Sequence, residues 1–434
     1  ESLFMPRNKT SECVEQIIKD LDDAISVLYD KWDDSNYGRI DKGAAMAFKG
    51  RILLWYASPL FNPSQDKKRW DDAYKANDDA VKYLKTQGKG LYPDYGELWY
   101  DERNEEVVMV NQFFYPDHAY NPNGVRPEII SKDAADGDQP YFPLVMAYPK
   151  RDGSPLELDI NKLSDNAYNQ KFMSDFYDRD DRFYATIFYG GGIYPTPDFD
   201  AGIRFWKVWM YAEGEENVLV SMARKQFNRE VYVNTGYNQL KAIDRKDNKE
   251  HLGEAGKDWV EIRFAEVLMN FGECANEVGK SDEALQVLYD IRKRAGITAG
   301  TGKYGITASS QSEIREAYIT ERQVEFAFEG KRLGDLRRWK RYDIMNAHVY
   351  RAGLAPLLIN NADLENFDWT SDMRDPEVQK KFRMHYVPNL DRDDAYKFNL
   401  SENHWFYPVH RDAIDKNSKT EQNNEWGGTF DPLL

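Results

Sequence analysis

The chain is poor in the residues that carry much of enzyme and metal chemistry. It has two cysteines, Cys13 and Cys274, far apart in its 434 residues. They form neither a disulfide framework nor a zinc-ligand spacing, and they leave the redox compartment open. There are six histidines. None stands in an H-E-x-x-H arrangement, and His404 and His410 share a segment without a ligand pattern. No G-x-S-x-G elbow occurs. Gly190-Gly191-Gly192 follows a strand-like run, but no helix and no Lys-Ser/Thr come after it, so it reads as a turn and not a phosphate loop. We expect no metal and no cofactor. Basic residues are outnumbered, 58 Lys and Arg against 74 Asp and Glu, and the formal net charge is -16. Such an acidic chain is a poor partner for nucleic acid and for anionic lipid. No apolar run approaches the roughly 18 residues that cross a bilayer. No secretory leader is visible, and the chain opens on Glu1-Ser2-Leu3-Phe4, which reads as a processed or truncated start.

Aromatic residues, by contrast, are abundant, at 14%, with 28 Tyr, 22 Phe and 11 Trp. Tyr and Trp pair an apolar face with a polar handle, which suits surfaces that stack on ligands as well as helix seams. Hydrophobic residues at 41% and charged residues at 30% are consistent with a folded chain that buries a sizeable core. The length allows two or three domains or one large helical body.

Helical periodicity is strongest at the beginning. Val14, Ile17, Ile18, Leu21, Ile25 and Leu28 form one stripe. After Gly38-Arg39 a second helix is predicted from about Lys42, with Ala44, Ala45, Phe48, Ile52, Trp55 and Tyr56 as its stripe, ending at Pro59 and Pro63. A third helix from about Arg69 places Trp70, Ala73, Ala76, Ala80 and Tyr83 in tetratricopeptide manner. From Val107 to about Tyr211 the periodicity fades into Gly, Pro, Asp and aromatics, with short strands expected at residues 107–110 and 183–189. Long ordered loops of this kind are more often functional than structural. Helices return at Trp259. Gly279 is expected as a C′ residue, Ser281 as an N-cap and Gly296 as the next stop. Ser310 and Glu313 form a capping box that opens a helix running through Phe328. The tail from Tyr342 reads as irregular but anchored by aromatics.

The fold class that follows is mainly α: tetratricopeptide-like helical hairpins forming a curved solenoid, covered by a loop-rich aromatic layer with a few short strands. Residues 1–434 read as one body, with hairpins at 1–106, a loop-rich ligand-facing region at 107–258, hairpins at 259–341 and an irregular region at 342–434. Carboxylates are plentiful, and a glycosidase pair is defined by separation in space, which chain spacing does not report. Asp178, Asp180 and Asp181 read as solvated surface, since they lack a calcium-loop pattern.

Several ordered segments resemble the RagB/SusD nutrient-binding family. Residues Glu261 to Asn270, followed by Asn276-Glu277 and Gly279, are similar to one of its helices. Asp290-Ile291-Arg292-Lys293-Arg294-Ala295-Gly296 is similar to the next motif, with Asp290 where Asn is usual. Glu321-Arg322, Glu325-Phe326, Phe328 to Arg332 and Asp335 to Trp339 resemble a third. Gly38-Arg39 with Lys42, Asp180 to Phe183, and Tyr407-Pro408-Val409 with Gln422 to Trp426 extend the likeness over almost the whole chain. Asn424-Glu425 departs from the usual Pro-Gly, and Asp181 stands where Pro is common. The family's lipoprotein signal, its cysteine and first helices have no counterpart here. We read the charged motif as structural: Glu329 with Arg332, and Asp335 with Arg338, stand at i, i+3 and can set helix register.

The resemblance implies a non-catalytic, lipid-anchored protein of the outer-membrane cell surface. It would capture an oligosaccharide or polysaccharide and deliver it to a SusC-like TonB-dependent transporter. The alternatives are a peptide or other nutrient in the same uptake role, or a glycan-cleaving enzyme with an unrecognised carboxylate pair. By position, the ligand loops should follow Val110. The candidate ligand-binding residues are Phe114, Tyr115, Tyr120 and Tyr141, with His118 and Asn121 as polar partners, and then Trp206 and Trp209.

Overall fold

The amphipathic stripe of the first segment forms α1, Thr10–Val27, in a computed structural model that describes residues 4–120, 122–132, 137–199, 202–347, 350–390 and 398–434. None of the α1 residues is fully buried. Asp41 accepts the Ala44 N–H at 2.8 Å and caps α2, Lys42–Ala57; Asp66 caps α3, Lys67–Thr86. The predicted small residues let α2 and α3 close up. Ala44, Ala47, Ala57, Ala73 and Ala80 are all buried, and the Asn77 side chain donates across the seam to the Gly50 carbonyl at 3.0 Å.

The middle of the chain is a succession of short elements. These are β1 (Val107–Asn111), α4 (Phe142–Ala147), α5 (Asn166–Phe176), α6 (Asp181–Thr186), β2 (Ile187–Tyr189), β3 (Trp209–Ala212), β4 (Glu215–Ser221), α7 (Ala223–Phe227) and β5 (Tyr237–Gln239). Then come β6 (Trp259–Arg263), α8 (Phe264–Glu277), α9 (Ser281–Arg294), α10 (Gln311–Glu325), α11 (Arg332–Arg338), α12 (Tyr342–Asn346), β7 (Gly353–Leu358), α13 (Pro376–Gln379), β8 (Phe382–Val387) and α14 (Arg411–Lys416). The hairpins α2–α3 and α8–α9, with α10, pack in sequence and bury one core around Leu84, Leu268, Leu288 and Tyr318. This is the tetratricopeptide-like stack of hairpins that the periodicity predicts. The aromatic layer on it has its own core, in which Phe172, Phe176, Phe183, Trp206 and Phe382 meet.

Several boundaries differ from the sequence reading, each for a local reason. The stretch 183–189 is mostly helix, because the Asp180 carboxylate accepts the N–H groups of Arg182 and Phe183 and starts α6; only its last three residues are strand. Residues 259–263 are strand and not helix, since β1 offers an antiparallel partner and Val260 and Ile262 alternate inward. Ser281 is the first helical residue of α9, after a Lys280 N-cap whose side chain makes no capping bond. Phe328 lies beyond α10, in a turn where its φ is +61° and that of Gly330 is +72°. The tail is more regular than predicted: β7 and β8 complete a four-stranded sheet ordered β4-β3-β7-β8, parallel between β3 and β7 and antiparallel elsewhere. All six β7 residues are buried, and Pro356 within that run hides it as a strand.

A buried ionic network joins these layers. Arg263 reaches Glu106 at 2.6 Å, Glu325 at 2.7 Å and Glu329 at 2.8 Å. Arg182 reaches Asp180 at 2.8 Å, Glu321 at 2.7 Å and Glu325 at 3.0 Å. The expected Asp335–Arg338 pair forms at 2.9 Å. Glu329 does not pair with Arg332. The chain leaves the helix between them, so Glu329 turns inward to Arg263 and Lys241, while Arg332 donates to the Ile319 carbonyl at 2.9 Å.

Candidate functional site

Strand β1 runs out into a short hairpin. Phe114 and His118 exchange both backbone hydrogen bonds, each at 2.8 Å, and hold Tyr115 at the tip, where the Tyr115–Pro116 peptide is cis. The hairpin is rooted on residues 255–258. Tyr120 donates its N–H to the Ala255 carbonyl at 2.9 Å, and Phe113 donates to the Asp258 carboxylate at 3.3 Å. Gly256 lies against the same backbone, where an added Cβ would make ordinary contact, 3.4 Å from the Phe113 carbonyl oxygen and from Phe114 Cα.

The side chains assemble an aromatic cluster. Phe113 stacks on the His118 ring at 4.5 Å and 24°, and touches Tyr120 at 5.3 Å; Phe114 meets His118 edge-on at 6.4 Å. His118 Nδ1 is 2.7 Å from the Gln112 carbonyl, which can only accept. The proton is thereby assigned to Nδ1, and Nε2 remains as an acceptor when the ring is neutral. Phe114 is 54% exposed and Tyr115 58%, which is unusual for side chains of this size held on a hydrogen-bonded turn. Tyr120 is half-buried, and burial, with the nearby Asp138 charge, pushes its phenol above the ordinary range.

Phe114, Tyr115, His118 and Tyr120 are therefore brought onto one hairpin. Tyr141 stands apart as the residue before α4, exposed, with its ring edge-on to Phe398 at 5.8 Å. Asn121 lies outside the described residues. The tryptophans go elsewhere. Trp206 is fully buried, stacked on Phe382 at 5.7 Å and edge-on to Phe367 at 4.8 Å, with its indole N–H donated to the Trp369 carbonyl at 3.1 Å. Trp209, in β3, is buried against Val233, Ala355 and Leu357. Neither offers a ring face to a ligand in this conformation. Phe113, which the sequence reading passed over, is the ring that joins His118 to Tyr120; its place next to Phe114 on an outgoing strand is the cue that could have marked it.

The acidic run also resolves. Asp178 and Asp181 are exposed, but Asp180 is fully buried, capping α6 and pairing with Arg182. Among the described residues no group of three or more His, Cys, Asp or Glu is arranged to hold a metal ion. Of the deeply buried carboxylates, Glu266, Glu321, Glu325, Glu329 and Asp335 are held below the ordinary range, because the arginine and lysine side chains beside them outweigh burial, whereas burial raises Asp180. A glycosidase acid needs a raised carboxyl, and Asp180, the raised one of this group, is engaged by the α6 N-terminus and Arg182 and is closed to a substrate.

The SusD family model matches residues 100–426, well over half of the chain. The chain belongs to the SusD family. The match takes in the aromatic hairpin, the arginine–carboxylate network and most of the tail. A solved SusD-like protein from Bacteroides fragilis superposes with a TM-score of 0.68 at 23% identity, covering 98% of this chain and 72% of that one. A SusD-like carbohydrate binding protein from the same species superposes with a TM-score of 0.66 at 19% identity, covering 96% and 72%. SusD-like protein P2 of Formosa agariphila is 35% identical over 91 residues, 20% of this chain, and the matched stretch spans 18% of that relative. No helix among the described residues is long and apolar enough to cross a membrane.

Proposed function

We propose that this SusD-family chain captures an oligosaccharide or polysaccharide at the outer-membrane cell surface, without cleaving it, and passes it to a SusC-like TonB-dependent transporter, the protein being held to the membrane by an N-terminal lipid. The observation that carries the binding reading is the hairpin of residues 113–120, which holds Phe114 and Tyr115 out in water on a hydrogen-bonded base. Sugar rings present apolar C–H faces that stack on aromatic rings, and their hydroxyls need donors and acceptors nearby. His118 Nε2, the Tyr120 phenol and Asn121 are the proposed polar partners, with Tyr141 as a further stacking residue. The names of two structural relatives, a carbohydrate binding protein and a surface glycan-binding protein from Bacteroides uniformis, agree with this ligand class.

Affinity electrophoresis in gels containing different polysaccharides tests the reading. At least one glycan should retard the protein, and Tyr115→Ala or Phe114→Ala should weaken retardation about 5- to 10-fold, the value of one lost stacking contact. Unchanged mobility of both variants would refute the site. Peptide binding with no retardation by any glycan would refute the ligand class. A reducing-sugar assay checks the absence of cleavage: product release abolished by a single carboxylate substitution, such as Asp138→Asn, would make the protein an enzyme.

A further inference from the structure

A second concave site lies beside the hairpin, on the other side of Gln112. The loop between α1 and α2 arches over the β1 edge and encloses a cavity of about 360 Å³, lined by residues 30–34, 37–41, 87–89, 103–105 and 107–110 among others. That is the lower end of the size range of small-ligand pockets. Trp32 is fixed in its wall, because its indole N–H donates to the Ile40 carbonyl at 2.9 Å and the Tyr29 ring meets it edge-on at 4.6 Å. Tyr37 lines the same cavity, and its hydroxyl is buried without a hydrogen-bond partner among the described residues. A buried, unpaired hydroxyl is costly and invites a ligand atom. The Arg103 guanidinium lies 4.2 Å over the Tyr37 ring and keeps it in place. The charges around the cavity are mixed: five carboxylates and four cationic side chains line it. Lys31 and Arg39 line the cavity without an ion pair within 4.0 Å among the described residues, and the Arg39 guanidinium lies 5.6 Å from the Trp32 ring centre, where a sugar ring would have to displace it or use the other face. Donors and acceptors interleaved around an indole suit a neutral polyol better than an ion.

The cavity and the hairpin share a wall. Gly38 has φ +87°, and an added Cβ would stand 2.4 Å from the Gln112 side-chain oxygen, so the loop closes directly on the residue whose carbonyl anchors His118.

We infer that the cavity between the α1–α2 loop and β1 is a second saccharide subsite for neutral sugar residues, with Trp32 as its stacking wall and the Tyr37 hydroxyl as its polar anchor. The inference rests on the reading of the ligand as a glycan, but not on the hairpin. The two sites together would grip successive parts of one chain.

The test uses the full chain in gels containing soluble starch, galactomannan, arabinoxylan or polygalacturonate. The parent should be retarded by a neutral polysaccharide, and Trp32→Ala should weaken that retardation about 5- to 10-fold. Tyr37→Phe removes one oxygen and leaves the packing intact, so it should weaken binding about 3-fold or more with an unchanged circular dichroism spectrum. Combining Trp32→Ala with Tyr115→Ala should multiply the two losses. If Trp32→Ala fails to fold, Tyr37→Phe decides alone. Retention of parent affinity by Tyr37→Phe and by any folded Trp32→Ala would overturn the subsite whatever Tyr115→Ala does. A silent Tyr115→Ala beside a weakened Trp32→Ala would uphold the cavity and remove the hairpin. Preference for polygalacturonate would overturn the neutral chemistry, and no retardation in any gel would overturn both sites.

Discussion

Arg263 shows how a single residue can matter to the fold without touching a ligand. Its side chain is 1% exposed and bonds to three carboxylates, Glu106 before β1 and Glu325 and Glu329 at the end of α10 and in the turn after it. Replacing it with Met would keep much of the volume but leave those carboxylates without their shared cation. One-sided removal from a buried ion cluster costs about 3–5 kcal/mol. Arg263→Met should therefore lower the urea unfolding free energy by about that amount, or fail to accumulate as folded protein, while Tyr115→Ala should stay within about 0.5 kcal/mol of the parent. Urea titrations followed by tryptophan fluorescence would measure both. The sequence identifies such residues as structural rather than ligand-binding, because charges at i, i+3 on a helix are ordinary register devices. It does not identify their partners. Glu329 sits three residues before Arg332, but the break after Glu325 sends it to Arg263 and Lys241 instead. Trp206 and Trp209 mislead for a related reason: an aromatic in an irregular stretch has no local pattern to say which side faces water, and both turn into cores.

Elements were legible where their own residues dictate them. The Ser310–Glu313 capping box, the Gly279 and Gly296 stops and the three N-terminal helices all follow from periodicity and end signals. The sheet was not legible, because β3, β4, β7 and β8 are short and draw their pairing from segments distant in sequence. Helix α8 carries a tighter constraint than its stripe reveals. At Gly272 an added Cβ would lie 1.9 Å from the Tyr318 hydroxyl oxygen and 3.0 Å from Val287 Cβ, where α8, α9 and α10 converge. That hydroxyl donates to the Ala284 carbonyl at 2.7 Å and so cannot move away freely. Helix propensity favours Ala over Gly by about 1 kcal/mol, yet overpacking a core costs about 1–3 kcal/mol. The clash should win, and Gly272→Ala should lower the melting temperature. Adding Tyr318→Phe removes the clashing oxygen, so the double variant should recover part of the loss in the same thermal scan.

At the scale of the molecule, the ionic network ties the helical stack to the layer that bears the candidate site. It connects the run into β1 through Glu106, α6 through Arg182, β6 through Arg263, α9 through Arg294 and α10 through Glu321 and Glu325. Its charge state should therefore set the acid limit of the whole fold. Glu321, Glu325, Glu329 and Asp335 are held below their ordinary range by the adjacent arginines and lysine. In the unfolded chain the same groups titrate at about pH 4. Between the two values the unfolded state binds more protons, so stability falls as pH falls. The contribution is fully present above about pH 5 and is lost progressively below about pH 4, as the folded-state carboxylates take up protons in turn. Urea midpoints should thus be level from pH 7 to about pH 5 as far as these groups are concerned, then drop steeply. Glu325→Gln removes the carboxylate shared by Arg182, Arg263 and Arg294. That variant should be weaker at neutral pH and show a shallower acid decline. If its midpoints fall in parallel with those of the parent, the network does not set the acid limit.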